Sequence, residues 1–336
     1  MMSEAWYKNP FTDDGHIISS RVRLARNVRK YPFRAKLGER QAREMVDETI
    51  SVLSDQFTSM EPSGYSNQDI RMLLEKHIIS REFVNSDLPK GLLLKDDFNV
   101  SIMVNEEDHI RIQAISAGEN LQASWEEANR VDDFIEKSLE FAFNQEYGYL
   151  TACPTNVGTG MRASFMIHLP MLERMGQIKD LLPTIGKFGI AIRGIYGEGS
   201  ESMGGIFQIS NQVTLGHSED EIIKSLQSIA KNIIDKENLI RERVYARRGI
   251  EIENNIFRSY GILTHFRKAG LNEAMDMLSD IRLGYAMGIL DFPKPDKNIY
   301  QIMMEIQPGH LLKASGEELD EAALDIARAE YLRKIF

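Results

Sequence analysis

Two kinds of charged residue in this chain are placed where each could serve the other's chemistry. The run Asn105-Glu106-Glu107-Asp108-His109 sets three carboxylates in succession, and a carboxylate can orient a cation and accept its proton. Alone, such a run is ordinarily a solvated turn. It has company in three segments that set arginine among glycine or small residues: Ser19-Ser20-Arg21-Val22-Arg23, Cys153-Pro154-Thr155-Asn156-Val157-Gly158-Thr159-Gly160-Met161-Arg162 and Arg193-Gly194-Ile195-Tyr196-Gly197-Glu198. Arginine forks and close backbone approach suit a polyphosphate.

Other motifs carry less. Gly158-x-Gly160-x-x-Ala163 matches the text of a dinucleotide fingerprint, but Cys153-Pro154-Thr155-Asn156 makes a poor preceding strand. Walker A, His-Arg-Asp and His-Glu-x-x-His sequences are absent, so arginines must do most of the work on any bound phosphates. Cys153, the single cysteine, is a core filler or a reactive thiol, and its Pro-Thr-Asn-x-Gly context favours the second. His109, His168, His217, His265 and His310 lack metal-ligand spacing and read as structural. Arg241, Arg243, Arg247 and Arg248 read as a solvated helix face.

The elements that must position these groups follow from periodicity. Apolar residues alternate at Phe98, Val100, Ile102 and Val104 and again at Ile110, Ile112 and Ala114, which predicts a hairpin turning at the acidic run. A second hairpin, residues 189–195 and 206–213, brackets a glycine-rich loop expected to be mobile. The run holding Arg21 and Arg23 reads as loop or strand. A helix is expected over about residues 38–60, and Ser218 with Glu221 makes a capping box opening a long helix to about Arg248. The remainder reads helical, apart from a break at Pro293 and Pro295. Some of its apolar periodicity, in Ile281, Tyr285, Met287 and Leu290 and in Leu319, Leu324, Ile326 and Tyr331, must face a partner or the catalytic domain. The expected fold class is α+β: an antiparallel-sheet catalytic domain over residues 1–240, then a helical C-terminal domain over 241–336.

With 336 residues and 43% hydrophobic content the chain can bury a substantial core unaided by disulfides. A lone thiol fits a reducing compartment. No apolar stretch approaches a membrane span, and the first ten residues lack a signal-peptide layout, so a cytoplasmic protein without membrane contact is expected. The net charge of −10 argues against nonspecific nucleic-acid binding, which leaves the arginines needing a local explanation.

In order, the Ser19 to Arg23 motif, the acidic run continued to Arg111, the Cys153 to Arg162 motif and the Arg193 to Glu198 motif resemble those of the phosphagen (ATP:guanido) kinases, over about residues 16–240. Within that superfamily the chain is most similar to the bacterial protein arginine kinases, which act with the Clp protease system. The resemblance implies a phosphagen-kinase-like catalytic fold. It implies transfer of the ATP γ-phosphoryl group, with Mg²⁺ bound mainly through the nucleotide, to arginine side chains of proteins, marking them for Clp-dependent degradation and regulating the stress response. It also implies that Ser19, Ser20, Arg21, Val22, Arg23, His77, Arg111, Arg162, Ala163, Ser164, Phe165, Met166, Arg193, Gly194, Ile195, Tyr196, Gly197 and Glu198 surround ATP. Glu107 would orient the substrate guanidinium and take its proton, Glu198 would be the second carboxylate, Cys153 a nearby thiol and Asp108 a further member of the catalytic set. Without the resemblance, His77 reads as a packed histidine.

The same resemblance implies a homodimer, with Clp ATPase components and a zinc-binding activator protein as partners. It implies a C-terminal phosphoarginine pocket with an Arg-Asp-x-x-Arg-Ala motif. Here the matching stretch is Leu324-Asp325-Ile326-Ala327-Arg328-Ala329; leucine removes one phosphate fork, so activation by phosphoarginine is expected to be weakened or absent. The chain opens near the Ser-Ser-Arg motif, without the small helical domain of creatine and arginine kinases, which favours a protein substrate. Two alternatives stand beside this: a kinase of free arginine or another small guanidino compound, and a catalytically silent phosphoarginine-binding adaptor.

Overall fold

The computed structural model describes residues 6–8, 15–60, 64–195 and 202–336. Tyr196, Gly197 and Glu198 of the glycine-rich loop lie outside them. The strands are β1 Ile17–Arg26, β2 Thr58–Met60, β3 Gly91–Leu94, β4 Val100–Val104, β5 Ile110–Ala117, β6 Phe143–Asn144, β7 Gly148–Tyr149, β8 Met161–His168, β9 Ile190–Gly194 and β10 Ile206–Asn211. The helices are α1 Glu39–Leu53, α2 Asn67–Glu75, α3 Arg81–Val84, α4 Leu121–Glu136, α5 Pro170–Arg174, α6 Ile178–Gly186, α7 Glu219–Leu263, α8 Leu271–Ala286, α9 Ile299–Glu305, α10 Pro308–Ser315 and α11 Glu321–Ile335. Strands pair in the order β2-β3-β4-β5-β1-β8-β10-β9, with β6 and β7 as a separate hairpin. This mixture of helix and antiparallel sheet matches the expected class.

The chain forms two compact units: residues 1–9, 19–165 and 210–227, and residues 10–18, 166–209 and 228–336. In the first, β4 and β5 pair Val104 with Ile110, and the Asn105 N–H donates to the His109 carbonyl at 2.8 Å, so the hairpin turns where the alternation predicts. β1 runs antiparallel to β5 with Arg21 opposite Ile115, Arg23 opposite Gln113 and Ala25 opposite Arg111. Directly opposed residues point the same way and alternate residues share a face. Arg21, Arg23 and Arg111 therefore stand on one face. Val22, Leu24 and Ile112 occupy the other, fully buried. Onto that face pack α1, whose Val46 closes against Gly91, and α4, whose Ser124 hydroxyl meets that of Ser116 at 2.8 Å.

The helix expected to reach residue 60 stops at Leu53. Its buried stripe, Met45, Val46, Thr49 and Leu53, ends there, and the next residues are claimed by the sheet, pairing Thr58 with Leu94 and Met60 with Leu92. The capping box at Ser218 and Glu221 is formed. It opens α7, which continues past Arg248 after a break in helical dihedrals there.

In the second unit, Ile281, Tyr285 and Leu290 are buried, while Ile326 stays exposed. Arg241 does not join a solvated face. The first backbone amides of α5, at Met171 and Leu172, donate to fully buried Glu237, and that carboxylate draws in Arg241 at 2.9 Å. A buried anion at a helix start demands a cation. Also buried, the His168 ring meets the Ser279 hydroxyl at 2.8 Å.

Candidate active site

Each residue of the acidic turn has a different fate. Asn105 takes the left-handed conformation, φ 61°, which asparagine tolerates, and its amide donates to the carbonyls of Ala42 and Pro89. Glu106 is completely buried. It accepts from Arg111 Nη1 at 2.6 Å, from its neighbour's N–H at 2.8 Å and from the hydroxyl of Ser80, which also caps α3. Glu107 alone reaches solvent, its side chain 40% exposed. Its Oε2 accepts from Arg111 Nη2 at 3.1 Å. Asp108 is buried; Oδ1 accepts from Asn27 at 2.7 Å and from the Ala152 N–H at 2.6 Å. Burial pushes its pKa above the ordinary carboxylate value, with those two bonds opposing. Both nitrogens of the His109 ring are engaged: Nδ1 accepts from Val28 N–H at 3.1 Å and Nε2 donates to the Pro32 carbonyl at 3.0 Å. Burial lowers its pKa to about 4, so the ring is neutral.

Above this turn stand the arginines. β8 puts Arg162 and Ser164 on one side, and Arg21 Nε donates to Ser164 Oγ at 3.4 Å, so Arg162 joins Arg21, Arg23 and Arg111 on the same face. Their closeness shows in Arg23. Its pKa is drawn well down, first by burial and then by the charges of Arg21, Arg111 and Arg162, with Glu106 opposing. Its Nε is buried with no hydrogen-bond partner. Such a concentration of cations with a donor unused could hold an anion. His77 follows α2 in the left-handed conformation, φ 57°. Burial and the neighbouring Arg21 lower its pKa to about 3, so it can offer hydrogen bonds without adding charge.

Cys153 is half-buried. Its Sγ lies 3.0 Å from Thr155 Oγ1, and its loop is fixed at one end by Asp108 through Ala152 and at the other by Thr214, which donates to the Val157 carbonyl at 2.6 Å. Arg26 is a support residue, pairing with buried Asp132 at 2.7 Å.

The other expected nucleotide contacts divide. Ser20 is consumed in the frame, its hydroxyl donating to the Gly118 carbonyl and accepting the Asn120 N–H at the start of α4. Ser19, Val22, Ala163 and Phe165 are buried within their strands. Met166, Arg193, Gly194 and Ile195 belong to the second unit, and Tyr196, Gly197 and Glu198 lie outside the described residues. Asn27, Ser80 and Gln113, which lock the turn and the His77 segment, escaped sequence reasoning. Their partners lie 26 to 81 residues away, and no local spacing marks them.

Residues 39–240 match the ATP:guanido phosphotransferase C-terminal catalytic domain, and residues 249–336 the C-terminal domain of the protein-arginine kinase McsB. The protein-arginine kinase of Caldanaerobacter subterraneus is 44% identical over 95% of this chain and 96% of its own length. That of Bacillus subtilis is 41% identical over 98% and 92%. The fold resembles a lombricine kinase crystal structure, with a TM-score of 0.61 and 24% identity, covering 70% of this chain and 69% of that one. A duplicated taurocyamine kinase from Schistosoma mansoni with bound transition-state-analogue components gives 0.59 and 28%, covering 70% and 35%. The chain belongs to the ATP:guanido phosphotransferases and, within them, to the protein-arginine kinase family.

Proposed function

We propose that this protein transfers the γ-phosphoryl group of ATP to the guanidinium of arginine side chains in proteins. One observation carries the reading: four guanidiniums converge on one face of the sheet beside the half-exposed carboxylate of Glu107. A triphosphate would relieve the mutual repulsion and use the idle donor of Arg23. Relatives named protein-arginine kinase, matched over nearly their whole length, support arginine in a protein as the acceptor.

A guanidinium, with a pKa above about 12, is protonated and a poor nucleophile. Glu107, anchored by Arg111 and with its other oxygen uncommitted, orients the incoming group and takes a proton as the N–P bond forms. The arginines spread the charge that develops on the transferring phosphoryl oxygens, and a fixed frame supplies much of the remaining rate. Mg²⁺ would enter on the nucleotide. Glu198 is the second carboxylate of this proposal, and Cys153 flanks the acceptor.

Phosphorylated proteins pass to Clp-dependent degradation as part of a stress response, in the cytoplasm, through a homodimer working with Clp ATPase components and a zinc-binding activator protein. What supports this is the motif resemblance to the protein arginine kinases; the match of residues 249–336 to the C-terminal domain of such a kinase supports that membership alone. Among the described residues no helix is long and apolar enough to cross a membrane.

The test is incubation with ATP, Mg²⁺ and either an unfolded protein or free arginine, reading acid-labile phosphate by mass spectrometry. Phosphoarginine in the protein is expected. Transfer to free arginine alone overturns the protein substrate, and ATP binding with no transfer to either supports the silent adaptor.

A further inference from the structure

We propose that an aromatic pocket beside the Cys153 loop docks a lysine or arginine side chain of the protein substrate that neighbours the arginine being phosphorylated. This deepens the substrate reading above and rests on it. The pocket lies wholly within the first unit and has a volume of about 350 Å³. Its lining includes Phe143, Tyr147 and Tyr149 of the β6–β7 hairpin, His217, and the carboxylates of Glu146 and Glu219.

Three features make it a built recess. Its floor is backbone: a Cβ on Gly148 would meet the Gly158 carbonyl oxygen at 2.5 Å, and one on Gly158 would meet that of Thr214 at 2.4 Å. Gly158 also accepts the Tyr149 N–H at 2.8 Å. The floor is thus continuous with the loop that carries Cys153, whose Thr155 and Val157 carbonyls Thr214 holds. Finally, Phe143 and Tyr147 are each 47% exposed although they are large and aromatic, and Phe143 stands edge-on to Tyr149 with centroids 5.2 Å apart.

Charge selects the occupant. Glu146 and Glu219 make no ion pair among the described residues, and Glu219 lies in the first turn of α7, where the helix amides favour a negative charge. An apolar guest would strip water from these carboxylates without compensation, and an anion would be repelled. A cationic head on an apolar stem fits both the rings and the acids. Tyr149 already carries such a group, for the guanidinium carbon of Arg26 lies 3.5 Å from its ring centroid.

The test uses the full-length protein and blocked peptides with one target arginine, scanning lysine or glutamate through the positions on either side. N-acetyl-arginine amide serves as the substrate without neighbours. The native enzyme is expected to favour the best lysine peptide over its glutamate counterpart at least tenfold in kcat/KM. Phe143→Ser/Tyr147→Ser, and separately Glu146→Gln/Glu219→Gln, are expected to remove most of that ratio while leaving turnover of N-acetyl-arginine amide within twofold. Calorimetric titration of the lysine peptide without ATP reads docking apart from chemistry. Binding lost in both variants supports the pocket even if no phosphate is transferred, a result that would sink only the kinase reading. A native enzyme indifferent to the neighbouring charge, or variants that keep the ratio and the binding, overturn the pocket.

Discussion

The carboxylate of Asp108 accepts the N–H of Ala152 at 2.6 Å, one residue before Cys153. The acidic turn and the thiol loop, 44 residues apart in the chain, are therefore tied to each other by one side chain. Asp108→Ala would remove the acceptor of the Ala152 N–H and one of the two acceptors of the Asn27 amide, the other being the Leu150 carbonyl, costing about 1–3 kcal/mol. Urea unfolding is expected to show that loss, with a fall in kcat as both Glu107 and Cys153 drift. Asp108→Asn keeps an oxygen in place and should lose less of each; equal losses would mean the charge, not the tether, matters.

That tether illustrates what the sequence could reveal. The hairpin at the acidic run and the capping box at Ser218 were legible because alternation and capping are local patterns, whereas the gathering of Arg21, Arg23, Arg111 and Arg162 was implied only by the family resemblance. The division of labour within the run was not. Glu106 and Glu107 are chemically identical, and only the approach of Ser80 and Arg111 decides that one is buried and the other half-open. Arg241 was misread for the same reason: its helix face is covered by the α5 start, 66 residues upstream of Glu237.

The two glutamates should separate cleanly on mutation. Glu107→Gln removes a half-exposed group and is expected to leave stability within about 0.5 kcal/mol. It should lower kcat by roughly 10²–10⁴-fold with little change in KM for ATP. Glu106→Gln breaks a buried ion pair, costing about 3–5 kcal/mol. Thermal melts with initial rates decide the matter; a fully active Glu107→Gln enzyme would remove that residue from the mechanism.

Arg23→Gln is expected to trade affinity for stability. Removing one of four crowded cations relieves repulsion in the free protein, so its melting temperature should hold or rise. ATP loses a charge-assisted bond worth about 1.5–3 kcal/mol, which weakens binding roughly 10- to 150-fold. Nucleotide titration alongside a thermal melt checks both, and a variant that melts lower yet binds ATP normally contradicts the assignment.

Phosphoarginine is expected to change the activity less than twofold. Asp325 and Arg328 are bound to each other at 2.8 Å, and Arg328 donates to the carbonyls of Ala269 and Ile306. Leu324 packs with Leu311, Leu312 and Leu319, where it offers phosphate nothing. Activation severalfold by a phosphoarginine-bearing protein, measured as initial rate, would show that the pocket works without the first arginine.

Acid should weaken the fold through His109. Its folded pKa of about 4 lies below the unfolded value of about 6.5, so in this pH range the unfolded chain binds the proton first. The stability from burying the neutral ring is complete above pH 6.5 and is lost as pH falls toward 4, at up to about 1.4 kcal/mol per unit. Charging Nδ1 also breaks its bond from Val28 N–H. Urea unfolding across pH 7 to 4 should therefore give a shallower decline for His109→Gln, even though that variant starts from a lower stability at neutral pH. Parallel curves for the two proteins would show that another group, such as buried His16 or His168, sets the acid limit.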